Sequence, residues 1–220
     1  MKKIAIFIDW ENLRKDLENL QKHYGTTNFN YNNHQHISAL VNSFIEADEE
    51  IYRIFFYTAN SKSTSDVLAE LKNHRDKTQY NIYIAQVDSR GRTVESKVNN
   101  LHTIVKNFTE KIVEEPYFAL RLGELKVRGL NSDGSPRLAQ KQVDMLFGLD
   151  ISHVAYMKLA DKILIFCKDS DMTPALKVTR INGLTTIVAN FENSFRITKK
   201  LIKHSDLIRT KDFPTLDASV

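Results

Sequence analysis

Strand-length apolar runs alternate with helical stripes along this chain, and this alternation restricts the fold more than any other feature. The run KIAIFI (3–8) is followed by apolar residues at three- and four-residue spacing from Trp10 to Tyr24, which is typical of a strand and then an amphipathic helix. The same order recurs at 51–76 and at 163–182. Strands that alternate with helices form mostly parallel sheets with helices on both faces. We therefore predict an α/β fold, a three-layer α/β/α sandwich around a mostly parallel sheet.

The other segments are assigned by the same two periodicities, about 3.6 residues for a helix and two for a strand. Turn-forming residues separate them. The assignments are a helix at 37–45, a strand at 80–88 (YNIYIAQVD), a helix at 94–112, strands within 117–129 that break at Gly123, a loop at 129–137, a buried helix within 139–160, a strand at 184–190 and a basic helix at 194–204.

Length and composition indicate one ordinary globular unit. The chain has 220 residues, 42% apolar and 26% charged, so we expect one domain over 1–210 and a loose tail over 211–220. The apolar run at Ile4–Ile8 is too short for a signal peptide or a membrane span. A single cysteine, Cys167, excludes an internal disulfide and fits a cytoplasmic protein, in which it would be a small core hydrophobe.

Acidic residues follow two of the predicted strands at the point where each strand ends. Asp9 comes directly after Ile8, and Asp169 and Asp171 come just after the run that ends at Cys167. Ligands of open parallel sheets bind beyond the carboxyl ends of the strands. If the two strands are neighbours, these carboxylates lie close enough to share a cation, and without one they repel each other.

The predicted buried helix carries two further acids in an apolar context, Asp144 and Asp150. A desolvated carboxylate is costly unless it is paired or binds a metal. The two acids point about 120° apart on a helix, so we assign Asp144 to the site and leave Asp150 as a supporting residue behind it or as one half of an ion pair.

Oxygen ligands select hard cations, so Mg²⁺ or Mn²⁺ is expected rather than zinc. Two other interpretations stay open. Each acid at a strand-to-helix junction is alternatively a helix N-cap, and Asn12, one turn after Asp9, either lies on the helix surface or orients a ligand. The chain has no GxGxxG and no GxxxxGK[ST], so a dinucleotide or P-loop site is excluded.

The motifs FIDWENL (7–13), KQVDMLFGLDI (141–151) and CKDSDMTPAL (167–176), followed by GLTTIVAN and LIKHSDLI, resemble the NYN domain family of the PIN-like nuclease superfamily, especially its LabA-like branch. The resemblance runs from residue 3 to about 209 and implies a PIN-like sandwich and a metal-dependent ribonuclease. It places Asp9 with Asn12 in the first motif, Asp144 in the second, and Asp169 with Asp171 in the third. The helix within 92–115 looks like an elaboration. Lys168 stands where the family commonly has glycine, beside the site.

We therefore expect hydrolysis of single-stranded or looped RNA, with Asp9, Asp144, Asp169 and Asp171 as metal ligands. The formal net charge of +4 supports a polyanionic partner. A homodimer is compatible with this interpretation, and a membrane partner is not expected. The alternative is a catalytically weak NYN fold that binds RNA or a regulatory partner; haloacid-dehalogenase and Toprim-like enzymes fit the acidic pattern poorly. The residues predicted to contact the RNA backbone are Arg121, Lys126, Arg128, Arg137, Lys141, Lys168, Lys199, Lys200 and Lys203, and Trp10 is either a base-stacking or a core residue.

Overall fold

A computed structural model describes residues 1–73, 78–85, 94–132 and 135–220, with only the backbone of 84, 94 and 95. Across these residues one sheet has the strand order β4-β3-β2-β1-β5-β6-β7. All neighbouring strands are parallel except β3 and β4. The strands are β1 Lys2–Asp9, β2 Glu49–Ala59, β3 Phe118–Leu130, β4 Pro136–Lys141, β5 Lys162–Phe166, β6 Thr185–Phe191 and β7 Leu207–Lys211.

Helices cover both faces of this sheet, as predicted. Alternate residues of β1 point to opposite faces: Ile6 packs in the core that α1, α2, α5 and α9 cover, and Phe7 in the core beneath α6, α7 and α8. The three-layer α/β/α sandwich is therefore confirmed. The helices are α1 Trp10–Tyr24, α2 His34–Ser43, α3 Thr64–Lys72, α4 Thr78–Ala85, α5 Val94–Ile112, α6 Val143–Tyr156, α7 Thr173–Ile181, α8 Lys199–His204 and α9 Phe213–Ala218, with a 3-10 turn at Ser170–Met172.

The strand order puts three chain segments at one edge of the sheet. β1 lies between β2 and β5, with Ile8 opposite Phe166, so the loops that follow β1 and β5 leave the carboxyl edge side by side. β3 extends past the end of β2, and β4 returns along it until Lys141 lies opposite Glu124. α6 therefore starts at the same edge, which is the usual position of ligand sites in open α/β sheets.

Two sequence assignments in the middle of the chain are wrong. Residues 80–85, predicted as part of a strand, belong to α4, because Tyr83 is buried against Val67 and Leu71 of α3 and this packing decides an ambiguous apolar run. Residues 86–88 of that prediction lie outside the described residues. The segment 117–129 is not broken at Gly123, since β3 runs through it.

Gly123 is instead the point of closest approach between β3 and the start of α6. A Cβ built there would lie 2.5 Å from the Lys141 carbonyl oxygen and 2.5 Å from a methyl carbon of Val143. Gly123→Ala should therefore lower the free energy of unfolding by about 1–3 kcal/mol, measured by urea denaturation. Gly148→Ala is the matched control within α6: no atom lies within 4 Å of its added methyl group, and alanine should raise stability by about 1 kcal/mol. Equal stability of the two variants would contradict this account.

The loop assigned to 129–137 and the buried helix within 139–160 also need correction. Residues 129–130 belong to β3 and 136–141 form β4, so the loop is a hairpin connection and α6 begins only at Val143. α6 is not buried all round, because Met145 and Leu149 are each 58% exposed on its outer face.

The predicted loose tail over 211–220 is wrong as well. α9 packs its apolar residues Phe213 and Leu216 into the core. The buried carboxylate of Asp217 accepts a hydrogen bond from the backbone N–H of Phe29 at 2.9 Å, and so ties this end of the chain to the loop after α1. In the described residues no helix combines the length and the apolar character that crossing a bilayer requires.

Candidate functional site

Asp9 is the half-buried acid at the carboxyl end of β1. It is also the N-cap of α1, since its Oδ1 accepts the backbone N–H of Asn12 at 3.2 Å. Burial, followed by repulsion from Asp144, raises the pKa of Asp9 to about 6, although the Asn12 hydrogen bond acts in the opposite direction. The N-cap interpretation is thus confirmed for Asp9, and the same carboxylate lies in a field of like charge.

The other three predicted ligands are exposed. Asp144 lies in the first turn of α6, and Asp169 and Asp171 lie in the loop after β5, where Oδ1 of Asp169 caps the 3-10 turn by accepting the N–H of Asp171 at 2.9 Å. Burial, then repulsion from Asp169 and Asp171, raises the pKa of Asp144. Because Asp144 repels Asp9 on one side and the third-motif acids on the other, the four predicted ligands form one negatively charged group.

Asn12 and Cys167 connect the loops that carry these acids. The Asn12 side-chain oxygen accepts the backbone N–H of Lys168 at 3.0 Å. The Cys167 thiol donates to Oδ2 of Asp9 at 3.7 Å, and its sulfur accepts the N–H of Asp169 at 3.4 Å. Cys167 is buried, as predicted, but sequence reasoning missed that it lies between two site acids; its position two residues before Asp169 was the available signal. Burial raises the pKa of this thiol, so it is held protonated.

The spacing of the four aspartates determines how they could hold a cation. Among the described residues, only Glu46, Asp48 and Glu49 place three donor atoms within 4.8 Å of one another. The donor atoms of the four aspartates are therefore more widely spaced than those of a site in which three side chains bind one ion directly. Mg²⁺ keeps several of its waters in protein sites and needs only one or two carboxylates. An all-oxygen, water-accessible acidic group fits such an ion.

The closely spaced acidic cluster lies at the amino end of β1 and β2, opposite the candidate site, and consists of Glu46, Asp48 and Glu49. Glu49 pairs with Lys2 in the β1–β2 register. Their spacing is compatible with a divalent ion, but two cations already occupy the same carboxylates. Arg209 binds Glu49 with two hydrogen bonds of 2.8 Å, and Lys162 binds it at 2.9 Å. These contacts outweigh the effect of burial and lower the pKa of Glu49 to about 2. This cluster is an ion-pair network around buried Glu49 and Arg209, with Glu46 and Asp48 exposed.

Comparison with known proteins agrees with this arrangement. The NYN domain family matches residues 3–208, nearly the whole chain. The chain belongs to the NYN domain family. Comparison with curated proteins finds no match. Among solved structures, a protein of unknown function from Vibrio parahaemolyticus RIMD 2210633 is similar over 96% of this chain and 93% of that chain, with 17% sequence identity and a TM-score of 0.46.

The NYN family implies a PIN-like, nuclease-type fold, and the sheet order and layers of this domain agree with it. The three motif segments predicted from sequence all reach the carboxyl edge of the sheet. Asp9 and Asn12 come from β1 and α1, Asp144 from α6, and Asp169 and Asp171 from the loop after β5.

Lys168 does not face the acids of this NYN domain. Its Nζ contacts Oδ2 of buried Asp16 at 2.5 Å, Oγ of Ser194 at 2.6 Å and the carbonyl oxygen of Phe195 at 2.8 Å. An ammonium group has three donors, and here all three are used. The expectation that Lys168 contacts the RNA backbone is therefore wrong. Its ammonium group is held within the protein by the ion pair with Asp16 and by two further hydrogen bonds.

Asp150 is one half of an ion pair, which was one of its two predicted roles. Its Oδ2 accepts hydrogen bonds from Nε of Arg121 and from the Tyr57 hydroxyl, each at 2.8 Å. The Arg121 guanidinium also lies 5.3 Å from the centre of the Phe55 ring. Arg121, one of the predicted RNA contacts, is thus engaged within the protein.

The other predicted RNA contacts lie on the surface in two groups. On the β3–β4 hairpin, Arg137 donates to the carbonyl oxygen of Arg128 at 3.0 Å and Lys126 pairs with Glu124 at 2.8 Å. Trp10 is a core residue that packs on Phe56 and Phe108, so it offers no stacking surface. The exposed residues among these predicted contacts are Lys126, Arg128, Arg137 and Lys141 on the hairpin and Lys199, Lys200 and Lys203 on α8.

Proposed function

We propose that this NYN domain is a metal-dependent ribonuclease that hydrolyses phosphodiester bonds with Mg²⁺ or Mn²⁺ held by Asp9, Asp144, Asp169 and Asp171. One observation carries the proposal: acids from three separate segments meet at the carboxyl edge of the sheet, where no described cationic side chain pairs with them. A protein that gathers like charges without a counter-charge loses stability, which a bound divalent cation restores.

The four acids have different positions and therefore different proposed tasks. Asp9 is half-buried and fixed by the N–H of Asn12, so it anchors the site with a defined orientation. Asp144, Asp169 and Asp171 are exposed, and they would hold the ion through its bound water. When bound, the cation lowers the pKa of the attacking water and stabilises the charge that develops on the phosphate oxygens.

Single-stranded or looped RNA is the substrate class that suits this edge. The acids lie on an open surface, and exposed cations of the β3–β4 hairpin and of α8 are available to hold phosphates on either side. An open edge of this kind accepts a strand whose bases are not paired. The acidic group attracts the metal, and the surrounding basic surface attracts the polyanion.

A catalytically weak, RNA-binding or partner-binding role is the second candidate. It is favoured by the wide spacing of the four aspartates, whose donor atoms do not come within 4.8 Å as a trio. Such a domain would bind RNA in a salt-dependent way and leave it intact in any metal.

Metal removal separates the two candidates. Purified protein is incubated with 5′-labelled single-stranded RNA in Mn²⁺, in Mg²⁺ and in EDTA, and the products are resolved on a denaturing gel. We expect cleavage in either metal, complete loss in EDTA, and recovery after excess Mn²⁺ is added back. Cleavage that persists in EDTA would contradict the metal-dependent mechanism, and intact RNA in all conditions with salt-dependent binding would establish the second candidate.

A further inference from the structure

The loop that follows β6, residues 192–198, lies one strand away from the acidic group. β6 is parallel to β5 and adjacent to it, so this loop and the loop that carries Asp169 leave the same edge of the sheet. The loop contains Phe195, whose side chain is exposed, next to exposed Arg196. An exposed aromatic ring and an exposed cation are therefore neighbours in sequence at the edge of the sheet that carries the acidic group.

A buried ion pair fixes the backbone of this loop. The carbonyl oxygen of Phe195 accepts a hydrogen bond from Nζ of Lys168 at 2.8 Å, and its N–H donates to Oδ1 of Asp16 at 2.9 Å. The Lys168 and Asp16 side chains are only 10% and 4% exposed. Since Lys168 directly precedes Asp169, the same short segment holds one acid of the site and the backbone of Phe195, so their relative position is fixed.

The Phe195 ring nevertheless remains 50% exposed. Full burial of such a ring would stabilise the fold. Here the backbone of Phe195 is fixed while its ring stays in contact with water, so the ring is available to pack against a ligand. The ring borders an open pocket of about 290 Å³, which Ile202 and Ile208 line on the apolar side and Arg196 and Glu192 on the polar side. A pocket lined by both apolar and charged side chains suits a flat, partly polar group such as a nucleobase.

The charge around this pocket favours a polyanion over an apolar protein partner. α8, which contributes Ile202, also carries Lys199, Lys200 and Lys203. Desolvation and then repulsion from Lys177 and Lys203 lower the pKa of His204, so cations of both α7 and α8 lie near this histidine. A surface with several cations attracts phosphates and repels a second copy of itself.

We propose that Phe195 is the stacking platform for one unpaired base of the RNA strand, with the phosphates beside that base held by Arg196 and the lysines of α8. This inference rests on the proposed function for its ligand, RNA, but not on hydrolysis. The Lys168–Asp16 pair has a positioning role, since it holds the loop rather than the base. A duplex keeps its bases stacked on each other and cannot use the platform.

Fluorescence anisotropy with a labelled 12-nucleotide oligouridine in EDTA tests the platform. Phe195→Ala should weaken binding about 5- to 100-fold, while Phe195→Trp should bind at least as tightly as the wild type, because any aromatic face supports stacking. The slope of log Kd against log salt should stay unchanged, since no phosphate contact is lost. Tyr156→Ala, at an exposed aromatic of α6, is the matched control and should leave binding unchanged, as should Phe195→Ala with a blunt RNA duplex.

The outcomes distinguish this inference from the proposed hydrolysis. Loss of single-strand binding in Phe195→Ala, without cleavage by the wild type in Mn²⁺, supports the platform and contradicts hydrolysis. Metal-dependent cleavage together with unchanged binding in Phe195→Ala overturns the platform and leaves hydrolysis standing. Absence of RNA binding by the wild type overturns both. If Phe195→Ala instead converts an oligomer into a monomer in light scattering and RNA affinity is unchanged, the surface is a protein interface and the inference is wrong.

Discussion

Asp9→Asn should lower metal-dependent cleavage of single-stranded RNA about a thousandfold, the largest effect on activity that we expect from a single substitution. The change removes the negative charge but keeps the shape, and asparagine is as good an N-cap as aspartate. It can still accept the N–H of Asn12, so α1 should begin as before. A metal ligand contributes several kcal/mol to the stabilisation of the transition state, and about 4 kcal/mol corresponds to this loss of rate.

Asp212→Asn is the matched control for this substitution. Asp212 is also an N-cap aspartate, since its carboxylate accepts the N–H of Thr215 at 3.1 Å at the start of α9. The same chemical change there should leave cleavage at the wild-type rate. Thermal unfolding in EDTA gives a second measurement. Asp9→Asn relieves the repulsion between Asp9 and Asp144, so its Tm should equal or exceed that of the wild type. Cleavage by Asp9→Asn at the wild-type rate would remove Asp9 from the mechanism.

The juxtaposition of Asp9 and Asp169 could be predicted because it depends on information that is local in sequence. Two apolar runs define two strands, parallel strands present their carboxyl ends at one edge, and each acid follows its strand directly. Asp144 is assigned differently, from its position on the predicted helix and then from the motif resemblance. The structure adds the strand order, β2-β1-β5, which makes the two acids neighbours.

The orientation of Lys168 could not be predicted, since it depends on a residue 152 positions away. No local pattern indicates that Asp16 on α1 is buried next to the loop after β5, where it binds the ammonium group of Lys168. The same limit explains the tail. The hydrogen bond from Phe29 to Asp217 and the burial of Phe213 depend on packing between distant segments. Short apolar runs such as 80–88 are also ambiguous until their neighbours are known.

Glu49→Ala should be the most destabilising substitution outside the apolar core, lowering the free energy of unfolding by about 3–5 kcal/mol. It would leave Arg209 buried without its two hydrogen bonds and Lys162 without its nearest carboxylate. At 220 residues this loss corresponds to a fall in Tm of about 6–20 °C, measurable by calorimetry. Glu110→Ala removes an exposed pair with Lys106 on α5 and should change stability by less than about 0.5 kcal/mol.

The pH dependence gives the same network a second, independent test. The pKa of Glu49 is lowered from 4.5 to about 2 in the folded protein, so the unfolded chain takes up a proton at this residue before the folded protein does. The ionised carboxylate therefore contributes about 3 kcal/mol above pH 4.5, and this contribution is lost as the pH falls towards 2. The stability difference between wild type and Glu49→Ala should shrink over that window. If Mg²⁺ raised the wild-type Tm, and Glu49→Ala but not Asp9→Asn abolished the effect, the cluster would be a metal site rather than an ion-pair network.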